Sequence, residues 1–165
     1  MANVGTGSGS RRIGSEGAAG SAIANTVTAT NLYTAHTIPG GTLNVGDVIV
    51  QECRVGYGVT GTPDITLNAV VNGTAVLSSG ALTTAAAGRF MAQLIGVVRA
   101  IGASGSILWE WVVQSNDSGL NAVVVDTTAD SVDTNADITL ATSLTWSAAS
   151  ASNTATPQRL DTRVR

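Results

Sequence analysis

One histidine, one cysteine and eleven carboxylates are the residues in this chain best suited to moving protons, attacking carbon or holding a metal. His36 as a general base would need a nucleophile beside it and an acid behind it. Serines are plentiful, but no Gly-x-Ser-x-Gly elbow leads from a strand pattern into a helix pattern. Cys53 lies inside an apolar alternation and reads as a small buried hydrophobe. As the single cysteine it forms no intrachain disulfide. One histidine and one cysteine are too few ligands for a zinc site. No catalytic residues are therefore assigned.

Two further patterns invite a ligand. Asp126, Asp130, Asp133 and Asp137 form a carboxylate cluster. Calcium wants oxygens converging from a tight loop, with the alternate-residue spacing and central glycine of an EF-hand. That pattern is missing, so a solvated acidic loop is the stronger reading and calcium the weaker one. Gly56-Tyr57-Gly58-Val59-Thr60-Gly61 has dinucleotide-fingerprint spacing after a strand. The mechanism needs a helix N-terminus to meet the pyrophosphate, and Thr62-Pro63-Asp64 leads into another strand instead. A strand-to-strand loop is the better reading, and no cofactor is expected. Asn72-Gly73-Thr74 and Asn116-Asp117-Ser118 match glycosylation sequons, but both read better as turns. Trp109, Trp111 and Trp146 would stack on sugars if exposed. They lie on the most apolar strand faces, which favours core or subunit interface.

The elements that position these residues are strands. Residues 138–146 alternate, with Ile138, Leu140, Leu144 and Trp146 on one side and Thr139, Ala141, Ser143 and Thr145 on the other. A period of two puts one face in a core and the other toward water. The same device recurs over residues 47–55, 64–71, 74–78, 88–101, 106–114, 122–126 and 158–164, with a Thr-rich extended stretch at 25–38. Asn72-Gly73 marks a two-residue hairpin. The only helix-like composition, residues 81–87, is short and broken by threonine. About eight antiparallel strands with regular turns predict an all-β, two-sheet sandwich of the jelly-roll kind. Residues 1–24 are Gly/Ser-rich and read as an extended arm, leaving 25–165 as the sandwich domain. Arg11, Arg12 and Ile13 are the expected anchors of that arm on a partner.

Composition limits the partners. The chain has 165 residues, enough for one domain with a real core. Charged residues make up 12%, about half the usual ~25% of globular domains. So lightly charged a surface is poorly protected against association, which suggests burial against other subunits. All eight basic residues are arginine, and the net charge of −3 argues against a general nucleic-acid binder. No run of 18 apolar residues suggests a membrane span. Residues 1–10 lack the apolar core of a signal peptide, so folding in a cytosol is expected.

Leu144-Thr145-Trp146-Ser147-Ala148-Ala149-Ser150-Ala151-Ser152-Asn153-Thr154 closes an alternating strand in a way that resembles a group of tailed-bacteriophage virion proteins. Thr37-Ile38-Pro39-Gly40-Gly41-Thr42-Leu43-Asn44-Val45-Gly46-Asp47-Val48-Ile49 and Val132-Asp133-Thr134 agree with it. The likeness spans residues 26–165 and leaves out the arm. It rests on turns and strand edges and brings no catalytic residues. The resemblance implies a jelly-roll module, usually a homotrimer, serving as capsid decoration (cement) protein or as a fibre or tail-tip module.

The expectation is thus a non-enzymatic capsid decoration protein on the virion exterior, made in the cytoplasm of a host bacterium. Its partners would be the major capsid protein and copies of itself. No nucleic acid, membrane or small-molecule substrate is expected. The alternative is a tail or head fibre module, a lectin-like receptor binder. A hydrolase is the third reading and requires His36 beside an acid and a nucleophile.

Overall fold

The fold is taken from a computed structural model that describes residues 9–85 and 87–165. These residues form β1 (Arg11–Glu16), β2 (Ile23–Ala24), β3 (Thr30–Asn31), β4 (His36–Ile38), β5 (Val48–Gly58), β6 (Asp64–Val71), β7 (Thr74–Thr83), β8 (Gly88–Ala100), β9 (Ser106–Ser115), β10 (Ala122–Val125), β11 (Asp130–Ser131), β12 (Ile138–Trp146) and β13 (Thr154–Val164). A 3-10 turn, Ser118–Leu120, follows β9, with the Asp117 side chain accepting from the Gly119 amide at its start. The larger sheet runs β1-β13-β5-β8-β9-β10, with β11 on β9 and β2 on β13. The smaller sheet runs β3-β12-β6-β7, with β4 on β12. These strands all pair antiparallel.

The protein is therefore an all-β sandwich of two antiparallel sheets. β5 and β6 lie in different sheets, and each is flanked by one member of the pair β12 and β13. This nesting of late strands on early ones is the feature shared with the expected jelly roll. β7 and β8 nest on the other side in the same manner.

Period-two alternation builds the core. On β8 Phe90, Ala92, Leu94, Gly96 and Val98 are buried, and on β9 Ile107, Trp109, Trp111 and Val113. From the smaller sheet come Ile65, Leu67, Ala69 and Val71 of β6 and Ile138, Leu140, Leu144 and Trp146 of β12. Gly96 is where the backbone of β8 must admit the Trp109 ring; a Cβ there would overlap it. The Asn72-Gly73 hairpin forms as expected, with φ of 51° and 79° at the two residues.

Some elements differ from the sequence reading. Alternation assigns Ala141 and Ser143 to the wet side, yet both are buried, because β12 is an interior strand and their short side chains lie low between neighbours. β7 continues past Ser78 to Thr83, its register against β6 shifting between Thr66 and Asn68 and between Ala69 and Val70. Ala86, in the connection that follows, lies outside the described residues. β13 begins at Thr154 and takes in Pro157. Proline has no N–H for the ladder, and the register against β5 shifts between Pro157 and Arg159. Within the expected arm, Arg11–Glu16 is an edge strand of the larger sheet, hydrogen-bonded to β13. Residues 1–8 lie outside the described residues.

Candidate functional site

The residues with catalytic potential sit in the core. His36, on β4 of the smaller sheet, is buried and its Nδ1 lies 2.8 Å from Thr162 Oγ1 on β13. Gln51 Nε2 on β5 donates to the same Thr162 oxygen at 3.1 Å and to the Leu140 carbonyl at 3.3 Å. Thr142 Oγ1 on β12 completes the chain by donating to Gln51 Oε1 at 3.2 Å. The four side chains form a polar seam that ties one sheet to the other. Burial pushes the His36 pKa below its ordinary value, against the opposing pull of the Glu16 and Asp161 carboxylates. Gly14 of β1 lies over the ring; a Cβ there would come within 2.9 Å of three of its atoms. His36 thus has one buried threonine as its partner and no hydrogen-bond partner at Nε2 among the described residues, so no nucleophile–histidine–acid relay is assembled. Cys53 is fully buried, and burial pushes its thiol up to about 12, far from a reactive thiolate.

The acidic residues do not converge. Asp137 Oδ1 accepts from the Gly40 amide at 2.9 Å and Asp133 Oδ1 from the Asn135 amide at 2.9 Å, so both are spent on turns. Asp130 lies on β11, and burial, with Asp126 nearby, raises its pKa. Among the described residues no three His, Cys, Asp or Glu side chains are placed to hold a metal ion. Gly56 and Gly58 belong to β5, and the chain passes through a loop into β6, with no helix to receive a phosphate. Asn72 Oδ1 accepts from the Thr139 amide at 2.8 Å and Asn116 Oδ1 from the Arg89 amide at 2.9 Å, as turn residues do. Trp109, Trp111 and Trp146 are at most 1% exposed, so core is the outcome and sugar stacking has no surface to use.

The three expected arm anchors engage the chain's own body. Arg11 Nη2 donates to Thr42 Oγ1 at 2.9 Å, Arg12 Nε lies 3.3 Å from Asp161 Oδ1, and Ile13 packs half-buried against the core. The Arg12 side chain remains 64% exposed.

What the fold leaves facing outward is the far side of the larger sheet. Register places Val48 of β5, Ile95 and Val97 of β8, Leu108 and Val112 of β9 and Val123 and Val125 of β10 on one continuous face. Val50 of β5 lies on the same side and is already buried. Val123 and Val125 are 66% and 57% exposed. Polar and charged residues border and interrupt this apolar field. Arg163 and Arg12 share Asp161 on the β13 side, Glu52 of β5 pairs with Arg54 and faces Gln93 of β8, and Glu110 stands on β9 between Leu108 and Val112. Among the described residues Glu110 makes no ion pair. Sequence reading named β5, β8, β9 and β10 but missed this face. The signal was present in Met91, Ile95, Val97, Leu108 and Val112, which fall at the outward phase of strands whose inward phase is also apolar.

Comparison with known proteins finds no matching family, no matching curated protein and no matching solved structure.

Proposed function

We propose that this chain is a non-enzymatic structural protein of a bacteriophage virion, a capsid decoration or cement protein that binds the outer shell as an oligomer and stabilises it. The observation that carries the reading is the apolar outer face of the larger sheet, a surface suited to protein association rather than to chemistry. The likeness of residues 37–49 and 138–154 to tailed-phage virion proteins points the same way. Stabilisation would come from added buried interface and from mass action on the assembled state. The N-terminal arm would engage a neighbouring subunit from the β1 edge, with the exposed Arg12 at the point of departure.

The test is immunogold labelling of phage particles from a producing lysate with antibody against the purified chain. Label over the head shell is expected. Label confined to tail or fibres would replace this reading with the fibre module, and particles without label would overturn both.

A further inference from the structure

The outer face of the larger sheet is more than apolar. In the row through its centre, between the Glu52–Arg54 pair and the exposed Arg99, the charges are ordered across the strands, and that order selects a partner. Register aligns Arg163 of β13, Val50 of β5, Ile95 of β8 and Glu110 of β9 in one row. Arg163 and Arg12 share the single carboxylate of Asp161, and the neighbouring Glu52 is taken up by Arg54, which leaves an excess of positive charge on that side. Glu110 lies partly buried between Ile95 and Val125, with no cation of its own among the described residues. A carboxylate on an apolar face calls for a counter-charge if that face is covered.

We infer that the occupant is a second copy of this chain, packed face to face about a two-fold axis parallel to the strands and passing between β5 and β8. That operator exchanges β5 with β8 and β13 with β9 while preserving position along the strands. Arg163 of each copy then lies over Glu110 of the other, and Ile95 over the β5 position held by Val50. The row is self-complementary, as an isologous interface requires. Sheets that pack in this way cross at roughly 30° and lie about 10 Å apart, so opposed residues meet as neighbours rather than in perfect superposition. The size fits as well. Four central strands of 10–13 residues, about 4.8 Å apart and flanked by the shorter β1 and β10, give a face on the order of 800 Å², which is what a stable dimer buries on each partner.

The inference rests on the self-association in the proposed function and puts a dimer in place of the homotrimer that the resemblance implies; it fails separately from that function, since particle labelling does not depend on the symmetry of pairing. Glu110→Arg and Arg163→Glu each place like charges opposite one another twice per dimer. Each variant alone is expected to weaken pairing by about tenfold or more. Mixing the two variants in equal amounts restores both contacts. In the mixed dimer each exchanged side chain faces the other, and the native Arg163 of one copy faces the native Glu110 of its partner. Native mass spectrometry of the full-length mixture should therefore show a dimer with one chain of each kind. Val123→Asp, at a 66%-exposed position, tests the apolar part without touching the core and should also weaken the dimer. Circular dichroism melts confirm that each variant is folded. Single variants that pair as well as the parent would overturn the proposal, as would a mixture that stays monomeric or a trimer in the parent protein.

Discussion

The two sheets turn very different outer faces to their surroundings. On the smaller sheet Thr37, Thr66, Asn68, Thr139 and Thr145 form ladders of short polar side chains. On the larger sheet the equivalent positions hold Val48, Ile95, Val97, Leu108 and Val112. These positions carry no charge, although Glu52, Arg54, Glu110 and Arg163 share the larger sheet's face with them, so both sets contribute to the low charged fraction of the chain. They do so with opposite consequences. Hydroxyls and amides bond readily to water, and the smaller sheet can remain wet. The aliphatic side chains of the larger sheet gain free energy when something covers them, at roughly 25 cal/mol per Å² removed from water. Low charge thus describes a solvated face and an association face at once, and only strand register separates them.

The largest disruption comes from erasing the difference between the inner and outer sides of β8. Gly96→Val drives a side chain into the Trp109 ring and should cost about 1–3 kcal/mol or more, read as a lowered midpoint in urea. Its outward neighbour behaves otherwise. Ile95→Thr keeps a β-branched side chain and adds no charge opposite Glu110, so it should leave the fold nearly as stable and weaken self-association, seen as a later elution volume with an almost unchanged melting temperature.

A subtler effect lies in the seam between the sheets. Burial holds the folded-state pKa of His36 below its unfolded value of about 6.5. The unfolded chain then binds more protons in the window below that value, so stability is fully present above it and falls as pH drops through the folded pKa. Denaturant melts of the parent and of His36→Gln between about pH 7.5 and 5 should show the parent losing more stability on acidification. Parallel pH profiles would refute that role for the histidine. The smallest effect is expected on the wet face. Thr66→Asp should change stability by no more than about 0.5 kcal/mol and leave the oligomer unaltered. If it weakened association as Ile95→Thr does, the distinction between the two faces would collapse.

Much of this organisation is legible in the sequence because a strand reports its own period. Phe90, Ala92, Leu94 and Val98 identify the core face of β8 without reference to any other element. The Asn72-Gly73 turn is equally local. What escapes reading depends on partners distant in the chain. Gln51 and Thr162 sit in apolar alternations and look misplaced until the fold brings them, 111 positions apart, to within 3.1 Å of each other. β1 is hidden by its Gly/Ser-rich neighbourhood and forms because β13 offers it an edge. The row of Arg163, Val50, Ile95 and Glu110 draws on four strands, and no single strand contains its pattern. The potential acid–base groups are visible as residue types, but their burial and separation follow from topology.

Coverage of the larger sheet's outer face by a second copy of the chain is what distinguishes it from the smaller sheet. Sedimentation equilibrium of the unmodified protein tests that coverage most directly. For a chain of 16.5 kDa a species of twice that mass is expected, dissociating to monomer on dilution. A protein that stays at the monomer mass at every concentration, or assembles at three times that mass, would contradict it.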